Sequence, residues 1–573
     1  MMHLALLIAL TCVGADADSQ AVSNVKAEHR NGQTFVTWTD VAEGAAGAAY
    51  RYAVYRADRP ITQADLAGMK PCVAGVLNNA AVRFGHAFDP KKRIDPKTPM
   101  AVIREGGEPL PHWSGLAVVT PPKSGKAWYA VVATDRAGTA LTRVVPGESA
   151  TTEPIEETVA PIQPVKIIDA KDRRAPYSRA WVITGKQGLA LSVSLHASSW
   201  RGGGASRHGD YYLYWARPEW GWRQGLPGVF SVKERTGTLI LESRDAIVCP
   251  KQKGPLAFQT RWFGYSCVPQ WADHAAPRAY NFTEQRVLWL IDWTIRRYGA
   301  DPDRVTCGGG SMGAWGSMTF AMRHPEVFAA VYPNRPRTRQ RFLPSLARCG
   351  DISGSARDTA DAKHLMADGV TPYFQRMDMV RFVSEHRGDL PFLGWCCGRR
   401  DGFASWQEQV DMVKALAEAR HGFAFAWNNG NHSSGAAPMR QVTKWYPASR
   451  FARNVSYPAF SRSSIDDDPG PGDPKAGDMT GGINLGFAWK DVVDSPDTWA
   501  VTLSNGLCAA PMTVDVTPRR CQSFKPKPGE ALAWTAAAGA SGSVAADRWG
   551  LVTVEKVAIK PGEEVRVAVK RRS

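Results

Sequence analysis

The stretch VTCGGGSMGAWGSM (residues 305–318) decides the fold class of this sequence. A short apolar run meets three consecutive glycines, then a serine, and then a segment compatible with a helix. The glycines fit the dinucleotide-binding pattern G-x-G-x-x-G, which would begin at Gly308. They also fit the nucleophile pattern G-x-S-x-G, in which Gly309 and Gly313 flank Ser311. Both patterns need a strand before them and a helix after them, so the rest of the chain must decide between them.

The chain beyond the glycines lacks what a dinucleotide site needs. Such a site requires an acidic side chain at the end of the next strand, about twenty residues on, to bind ribose hydroxyls. The next predicted strand, VFAAVYP (327–333), is followed by Asn334, Arg335 and Pro336, and Glu326 lies at its opposite end. No phosphate-loop pattern G-x-x-x-x-G-K-[ST] occurs. The sequence therefore disfavours a nucleotide cofactor.

The nucleophile pattern finds the partners that it needs further along the chain. A serine hydroxyl becomes reactive when a histidine takes its proton and a carboxylate orients that histidine, here in the chain order Ser, acid, His. The apolar strand LPFLGWCCG (390–398) is followed by Asp401, and the apolar strand FAFAWNNG (423–430) is followed by His432. Asp389 is a weaker rival because it precedes its strand. We therefore predict Ser311, Asp401 and His432 as a catalytic triad, which requires no metal or organic cofactor.

The oxyanion of such a reaction needs backbone N–H donors. One is predicted at Met312, directly after the nucleophile. The other is predicted at Ala197 or Ser198, where the apolar strand LALSVSLHA (189–197) ends. Alanine occupies the position where glycine is common in such strands, so the choice between the two residues stays open.

Three side chains near these loops are candidates for substrate binding. His196 precedes the predicted oxyanion loop. Trp262 and Tyr265 lie in TRWFGYSCVPQW (260–271), where they either wall a cleft for a sugar or phenolic group or pack the loop onto the domain. Segment 334–385 is long for a connection between two strands, and it predicts a helical cap over the site.

The pattern of apolar residues divides the chain into three regions. Residues 20–155 and 483–573 show short alternating or β-branched runs between turn residues, which predict β-sandwich domains. Residues 165–455 alternate strand-like and helix-like runs, which predicts a mostly parallel sheet with helices on both faces. The stretch 456–482 is rich in Asp, Gly and Pro and predicts a linker. Its residues 466–478 form either a plain loop or a calcium site.

The N-terminus and the composition indicate an exported globular protein. An apolar run is followed by Ala15-Asp16-Ala17, which predicts a signal peptide over residues 1–17 and a secreted or periplasmic location. No later run is long enough to predict a membrane span. The formal net charge is +16, but Lys and Arg are scattered and no nucleic-acid motif occurs. The charge therefore indicates solubility and attraction to acidic polymers rather than nucleic-acid binding.

The sequence has ten cysteines, and an oxidising compartment permits disulfides. No zinc-ligand spacing occurs among them. Three pairings are candidates: Cys508 with Cys521, Cys249 with Cys267, and either Cys396 or Cys397 with Cys349.

Two segments resemble known families. The segment 301–333, which contains the Ser311 motif, resembles the elbow region of secreted α/β-hydrolases related to prolyl oligopeptidases, polyhydroxybutyrate depolymerases and feruloyl esterases. With Asp401 and His432 included, the resemblance extends over about half of the chain, and it implies an α/β-hydrolase domain. Trp38 on an early strand and Tyr129 on a late one resemble a fibronectin type III module, and the alternative is another β-sandwich.

Three functions are compatible with these features. The first is a secreted serine esterase acting on polysaccharide-linked acyl esters or on a polyester. The second is a serine peptidase of the prolyl oligopeptidase type, which the single small module before the catalytic region disfavours because that family often carries a β-propeller there. The third is a catalytically inactive extracellular binding protein, which the complete triad disfavours. The expected partner is the ester substrate, without nucleic acid, and the oligomeric state stays open.

Overall fold

The computed structural model describes residues 21–82, 90–166, 183–197, 211–217, 222–245, 247–248, 257–258, 262–263, 265–266, 278–339, 365–536 and 539–572. The predicted signal peptide (1–17), Ser198, Cys249, Cys267 and Cys349 lie outside these residues. Within the described ranges no helix is both long enough and apolar enough to cross a membrane.

Seven N-terminal strands form two sheets that pack face to face. Their bounds are β1 (Ser23–Arg30), β2 (Gln33–Thr39), β3 (Arg51–Ala57), β4 (Val73–Leu77), β5 (Ser114–Val119), β6 (Gly125–Thr134) and β7 (Ile155–Glu157), with a short helix α1 (Pro90–Arg93) between β4 and β5. One sheet has the order β1-β2-β5 and the other β4-β3-β6-β7. Trp38, Tyr52 and Tyr129 are buried between the sheets, because alternate side chains of each strand face the partner sheet.

The central region alternates strands with helices. Its strands are β8 (Val165–Lys166), β9 (Ala190–Ala197), β10 (Tyr211–Arg217), β11 (Trp222–Arg235), β12 (Thr238–Asp245), β13 (Ile247–Val248), β14 (Ala257–Phe258), β15 (Tyr265–Ser266), β16 (Arg278–Tyr280), β17 (Val305–Gly310), β18 (Ala330–Asn334), β19 (Leu365–Met366), β20 (Phe392–Gly398) and β21 (Phe423–Asn428). Its helices are α2 (Phe282–Tyr298), α3 (Met312–Ala321), α4 (Tyr373–Arg376), α5 (Met379–Glu385), α6 (Trp406–Glu418) and α7 (Ala436–Trp445).

Six strands of this region pair in parallel in the order β12-β9-β17-β18-β20-β21. All seven residues of β20 are buried, as expected for a strand covered on both faces. The sheet continues through antiparallel β11 to β5 of the N-terminal region, where Gln224 pairs with Val119. Parallel pairing brings the ends of β17, β20 and β21 to one edge, and Ser311, Asp401 and His432 all follow these ends.

Helices cover both faces of the parallel sheet. Leu393 and Trp395 of β20 face a core that includes residues of α2, α3, α5 and α6. Phe392 of the same strand faces the opposite core, which includes Val442 of α7. This alternation gives each face of the sheet its own hydrophobic layer. The arrangement agrees with the predicted mostly parallel sheet with helices on both faces.

Two further sheets follow at the C-terminus. The strands of this region are β22 (Tyr457–Ser461), β23 (Gly481–Ile483), β24 (Phe487–Asp494), β25 (Thr498–Asn505), β26 (Met512–Arg519), β27 (Ala531–Thr535), β28 (Ser541–Ala545), β29 (Val554–Ile559) and β30 (Val565–Arg571). All of them except β23 belong to these two sheets. The sheets have the orders β22-β26-β29 and β24-β25-β30-β27-β28, and they share a core around Trp499 and Val501. That core is continuous with the layer against α7.

The stretch 456–482 differs in part from the predicted linker. β22 pairs with β26, and β23 adds to the edge of the central sheet beside β21, so both ends of the stretch are strands. Pro458 lies within β22 even though proline usually marks a loop. An edge strand tolerates it because one side of the strand needs no N–H donor.

The candidate pairing of Cys508 with Cys521 is not formed, because both residues are free thiols. They lie before and after the eight-residue strand β26, which is roughly 26 Å long, whereas the Cα atoms of a disulfide lie about 4–7 Å apart. Cys396 and Cys397 are also free thiols, buried in β20.

Candidate active site

The serine of the opening motif lies at a sharp corner between a strand and a helix. β17 ends at Gly310 and α3 begins at Met312, which leaves Ser311 between them with φ 55° and ψ −117°. A positive φ is rare for a residue other than glycine and costs free energy. Neighbours hold it, because the Ser311 N–H donates to the Asn334 carbonyl at 3.0 Å and the Ser311 carbonyl accepts from Trp315 N–H at 3.0 Å. The serine side chain is exposed at this corner.

The close approach of α3 to the end of β17 requires a glycine at position 309. A Cβ atom on Gly309 would lie 2.5 Å from the carbonyl carbon and oxygen of Gly313 and 2.7 Å from the carbonyl oxygen of Leu195. Both neighbours are backbone, so neither can rotate away. Gly309 therefore lets the first turn of α3 cross directly over the end of β17. This is the strand–turn–helix context that the nucleophile pattern requires.

The structure brings the three predicted triad residues together. Ser311 Oγ lies 2.7 Å from His432 Nε2, and His432 Nδ1 lies 2.7 Å from Asp401 Oδ2. The Asp401 side chain is fully buried, whereas the imidazole is 25% exposed. A carboxylate on Nδ1 favours the tautomer that carries its proton there, which leaves Nε2 free to accept the serine proton.

Backbone groups keep Asp401 ionised. Its Oδ1 accepts hydrogen bonds from the N–H groups of Phe403 at 2.8 Å and Ala404 at 3.1 Å, which leaves Oδ2 for the histidine. Burial alone would raise the pKa of this carboxyl. The hydrogen bonds from His432 and from the two backbone N–H groups outweigh burial, so the pKa of Asp401 is lowered from its ordinary value.

A backbone hydrogen bond joins the loops that carry Asp401 and His432. The Arg400 N–H donates to the Gly430 carbonyl at 2.9 Å, which joins the Asp401 loop to the His432 loop. Within the second loop, the Asn428 side chain donates to the Ser434 carbonyl at 2.8 Å. The guanidinium of Arg335 donates to the His432 carbonyl. The backbone of this loop is therefore held by hydrogen bonds before, at and after His432.

Two of the predicted oxyanion donors, Met312 and Ala197, lie at the same sheet edge as Ser311. The N–H of Met312 is the first of α3, and among the described residues none accepts a hydrogen bond from it. β9 pairs with β17, with Leu195 opposite Gly309, so Ala197 lies at the same edge of the sheet. Ser198 lies outside the described residues.

The three residues predicted to bind substrate lie in different parts of the central region. Trp262 is 1% exposed and lies against Gly316 of α3, where a Cβ would collide with the indole. It packs the elbow helix and does not wall an open cleft, which corrects that alternative of the prediction. The backbone of His196 pairs with Arg244, and that of Tyr265 pairs with Tyr280.

The rival acid Asp389 and the nearby histidine His324 have other partners. Asp389 forms an ion pair with Arg519 at 3.1 Å instead of facing His432. His324 forms a hydrogen bond with Glu326 at 2.8 Å, just beyond the end of α3. Of the predicted helical cap, the described part contains the short helices α4 and α5.

Sequence reasoning missed two residues at the site. Phe403 is 68% exposed, and its ring lies 4.9 Å from the imidazole of His432. Its signal was an aromatic residue in a polar loop, two positions after the predicted acid. Arg335 follows β18 with φ 65° and reaches the His432 loop. Nothing in the local pattern distinguished it from a surface arginine.

The described residues contain no group of three or more His, Cys, Asp or Glu side chains that could hold a metal ion. The loop 466–478, for which calcium was one of two alternatives, is among these residues.

No family model matches the sequence, and the search of curated proteins found no match. Among solved structures, the chain is similar to an S-formylglutathione hydrolase from Agrobacterium tumefaciens, with 17% identity over 46% of this chain and 85% of that one and a TM-score of 0.30. It is also similar to a ferulic acid esterase, with 14% identity over 45% and 84% and a TM-score of 0.26. A putative dipeptidyl aminopeptidase IV from Bacteroides ovatus gives 10% identity over 73% and 56% and a TM-score of 0.30. These identities and TM-scores are low, so the functional assignment rests on the geometry of this chain.

Proposed function

We propose that this chain is a serine hydrolase that cleaves carboxylic esters through an acyl-enzyme intermediate. The observation that carries the proposal is the pair of 2.7 Å contacts that link Ser311, His432 and Asp401. Each contact joins a donor to an acceptor that the reaction uses, and the three residues come from loops more than 30 residues apart in the chain. Simple packing does not require such an alignment of hydroxyl, imidazole and carboxylate.

The proposed reaction moves one proton back and forth. As Ser311 Oγ attacks the ester carbonyl carbon, His432 Nε2 takes the hydroxyl proton, and Asp401 stabilises the imidazolium. The N–H of Met312 and a donor at Ala197 or Ser198 would stabilise the oxyanion. The C–O bond to the alcohol breaks as His432 returns the proton to it. Water then gives a proton to His432 as its oxygen attacks the acyl carbon. The bond between that carbon and Ser311 Oγ breaks as His432 passes the proton to Oγ, which releases the acid and restores Ser311.

The surroundings of the nucleophile support an ester with a sizeable apolar or aromatic group. The Ser311 side chain is exposed, and the ring of Phe403 presents an apolar face beside the imidazole. An exposed nucleophile suits an ester that is part of a large chain. A polysaccharide-linked acyl ester or a polyester is therefore the proposed substrate class, and a peptide is the alternative.

The flanking regions are proposed to be accessory modules of an exported enzyme. The strand orders β1-β2-β5 and β4-β3-β6-β7, with Trp38 and Tyr129 between the sheets, support a fibronectin type III-like module over residues 20–155. The C-terminal sheets support a β-sandwich over residues 483–573. Secretion or periplasmic location remains a proposal based on residues 1–17.

Hydrolysis of p-nitrophenyl acetate by the full chain tests the proposal, with Ser311→Ala as the matched control. Loss of activity by at least about a thousandfold in the variant is expected, because triad members act as a unit. If the wild type and the variant are equally inactive, the binding-protein alternative replaces the enzyme. A panel of acetylated xylan, feruloylated oligosaccharide, polyhydroxybutyrate and a proline-containing peptide then separates esterase from peptidase. Cleavage of the peptide alone would refute the ester assignment.

A further inference from the structure

Residues 469–478 wrap around the guanidinium of Arg399. Arg399 is 1% exposed, and all its side-chain nitrogens donate to backbone carbonyl oxygens of this loop. The five acceptors are Pro474 at 3.2 Å from Nε, Asp478 at 2.7 Å and Pro469 at 3.4 Å from Nη1, and Asp473 at 3.1 Å and Ala476 from Nη2. A ring of carbonyl oxygens is also what a bound cation would use, so here a side chain of the protein fills the place of an ion.

The ring of carbonyl oxygens around Arg399, here called the cage, is held in shape by carboxylates of the same loop. Asp478 Oδ2 accepts from the Asp468 N–H at 2.8 Å, and Asp473 Oδ1 accepts from the Lys475 N–H at 2.9 Å. These short-range bonds hold the loop in its curled shape. The aspartates thus stabilise the cage, while the carbonyl groups bind the cation.

Two tryptophans complete the surroundings of Arg399. The guanidinium carbon lies 4.7 Å from the ring centre of Trp406, and the indole N–H of Trp406 donates to the Pro469 carbonyl at 3.0 Å. The indole N–H of Trp427 donates to the Asp478 carbonyl at 2.8 Å. The cage is therefore fixed to the start of α6, which follows Asp401, and to β21, which precedes His432.

The backbone of Arg399 begins the turn that presents the catalytic carboxylate. The Arg399 N–H donates to the Asn428 carbonyl at 2.9 Å, which extends the pairing of β20 with β21. The Asp401 N–H donates to the Gly398 carbonyl at 3.1 Å and closes the turn. The side chain of Arg399 fixes one end of this turn, and Trp406 lies just beyond the other.

We propose that Arg399 is a positioning residue that holds the Asp401 loop through the cage formed by residues 469–478. The segment between β22 and β23 thereby helps to place Asp401. The proposal rests on the proposed function, because it assigns Arg399 to the placement of Asp401 against His432. Misplacing a catalytic group by about 1 Å can cost roughly a hundredfold in rate.

Arg399→Ala tests the proposal, because it leaves the cage empty for an added cation. We expect kcat for p-nitrophenyl acetate to fall by about 10- to 100-fold, with KM changed by less than about threefold. Guanidinium chloride at about 0.05 M, which is far below denaturing concentrations, should restore much of the lost kcat. Sodium chloride at the same ionic strength should not. Arg399→Lys keeps the charge but cannot reach five acceptors, so it should be impaired as well.

Arg519→Ala is the matched control. Arg519 is also buried, donates to the Gly388 carbonyl at 2.6 Å and pairs with Asp389, but it lies on β26, away from the turn that carries Asp401. Its loss should lower thermal stability while leaving the kcat of the folded protein near wild type. Guanidinium should not raise that kcat.

Each outcome decides the proposal. Wild-type kcat in folded Arg399→Ala, or reduced kcat that guanidinium does not restore, overturns the positioning role. Failure of both Arg399 variants to fold also overturns it, because Arg399 would then be needed for the fold as a whole. An inactive wild type, with no dependence on Ser311, would instead refute the proposed function, so the two failures are distinguishable.

Discussion

The elbow glycine gives the sharpest single-residue test of the site geometry. Gly309→Ala places a Cβ atom 2.5 Å from the Gly313 carbonyl and 2.7 Å from the Leu195 carbonyl, whereas ordinary contact begins at 3.4 Å. The new methyl group therefore forces β17 and α3 apart by nearly 1 Å. Because the contacts are with backbone, no side-chain rotation relieves them.

That displacement can be converted into a rate. Ser311 begins 2.7 Å from His432, and a shift of about 1 Å can lower the rate roughly a hundredfold, or about 2.7 kcal/mol in the barrier. Overpacking of this kind also lowers the free energy of unfolding by about 1–3 kcal/mol. We expect a loss in kcat with a smaller change in KM, and a lower melting temperature.

The neighbouring glycine supplies the control. A Cβ on Gly310 meets only the end of the Arg335 side chain, at 3.5 Å, and Gly310 has no positive φ. Gly310→Ala should therefore stay within about 0.5 kcal/mol of wild-type stability and keep most of its activity. The assay is kcat and KM for p-nitrophenyl acetate together with thermal unfolding of both variants. Equal activity of the two variants, or greater damage from Gly310→Ala, would refute the geometry described for the elbow.

Three further changes give separate tests. Asp401→Asn should lower kcat by about 10³- to 10⁴-fold with little change in melting temperature, and near-normal kcat would mean that another group orients His432. Phe403→Ala should raise the KM for an aromatic ester by roughly three- to tenfold while leaving that for an acetate ester nearly unchanged; equal effects on both esters would count against a substrate contact. Burial lowers the pKa of His324, but hydrogen bonds and charges from Glu284 and Glu326 outweigh burial, so the pKa is raised above the ordinary 6.5. The stabilisation of the fold by protonated His324 is therefore complete below pH 6.5. It is lost as the pH rises through the higher pKa of the folded state. His324→Gln should therefore reduce the free energy of unfolding, measured in denaturant, by about 1–3 kcal/mol near pH 6 and by less near pH 9, and a loss independent of pH would contradict this ion pair.

The sequence predicted the parts of the molecule that follow from short-range pattern. A glycine-rich corner after an apolar run has few sterically allowed conformations. The order Ser, Asp, His, each directly after a predicted strand, placed Ser311, Asp401 and His432 at one edge of a parallel sheet. Buried parallel strands such as β20 are nearly uniform in apolar residues, so they are visible without an alignment.

Features that depend on long-range packing were not visible. The sequence around Trp262 did not show whether its ring faces solvent or Gly316, because the orientation of the ring depends on how its loop packs against α3. The 508–521 pairing was inferred from closeness in sequence, but a strand between two cysteines separates them in space. The carbonyl cage around Arg399 was not visible in the sequence, because its five acceptors are backbone carbonyl groups some 70 residues away and any residue type supplies such a group.

Covalent labelling tests the central claim most directly. Wild-type protein treated with a fluorophosphonate should gain one equivalent of the phosphonyl group, and peptide mapping by mass spectrometry should find it on Ser311 Oγ. Ser311→Ala should gain none under the same conditions, and Asp401→Asn should be labelled more slowly than wild type. Labelling of a different serine, or equal labelling of wild type and Ser311→Ala, would contradict the assignment of Ser311 as the nucleophile.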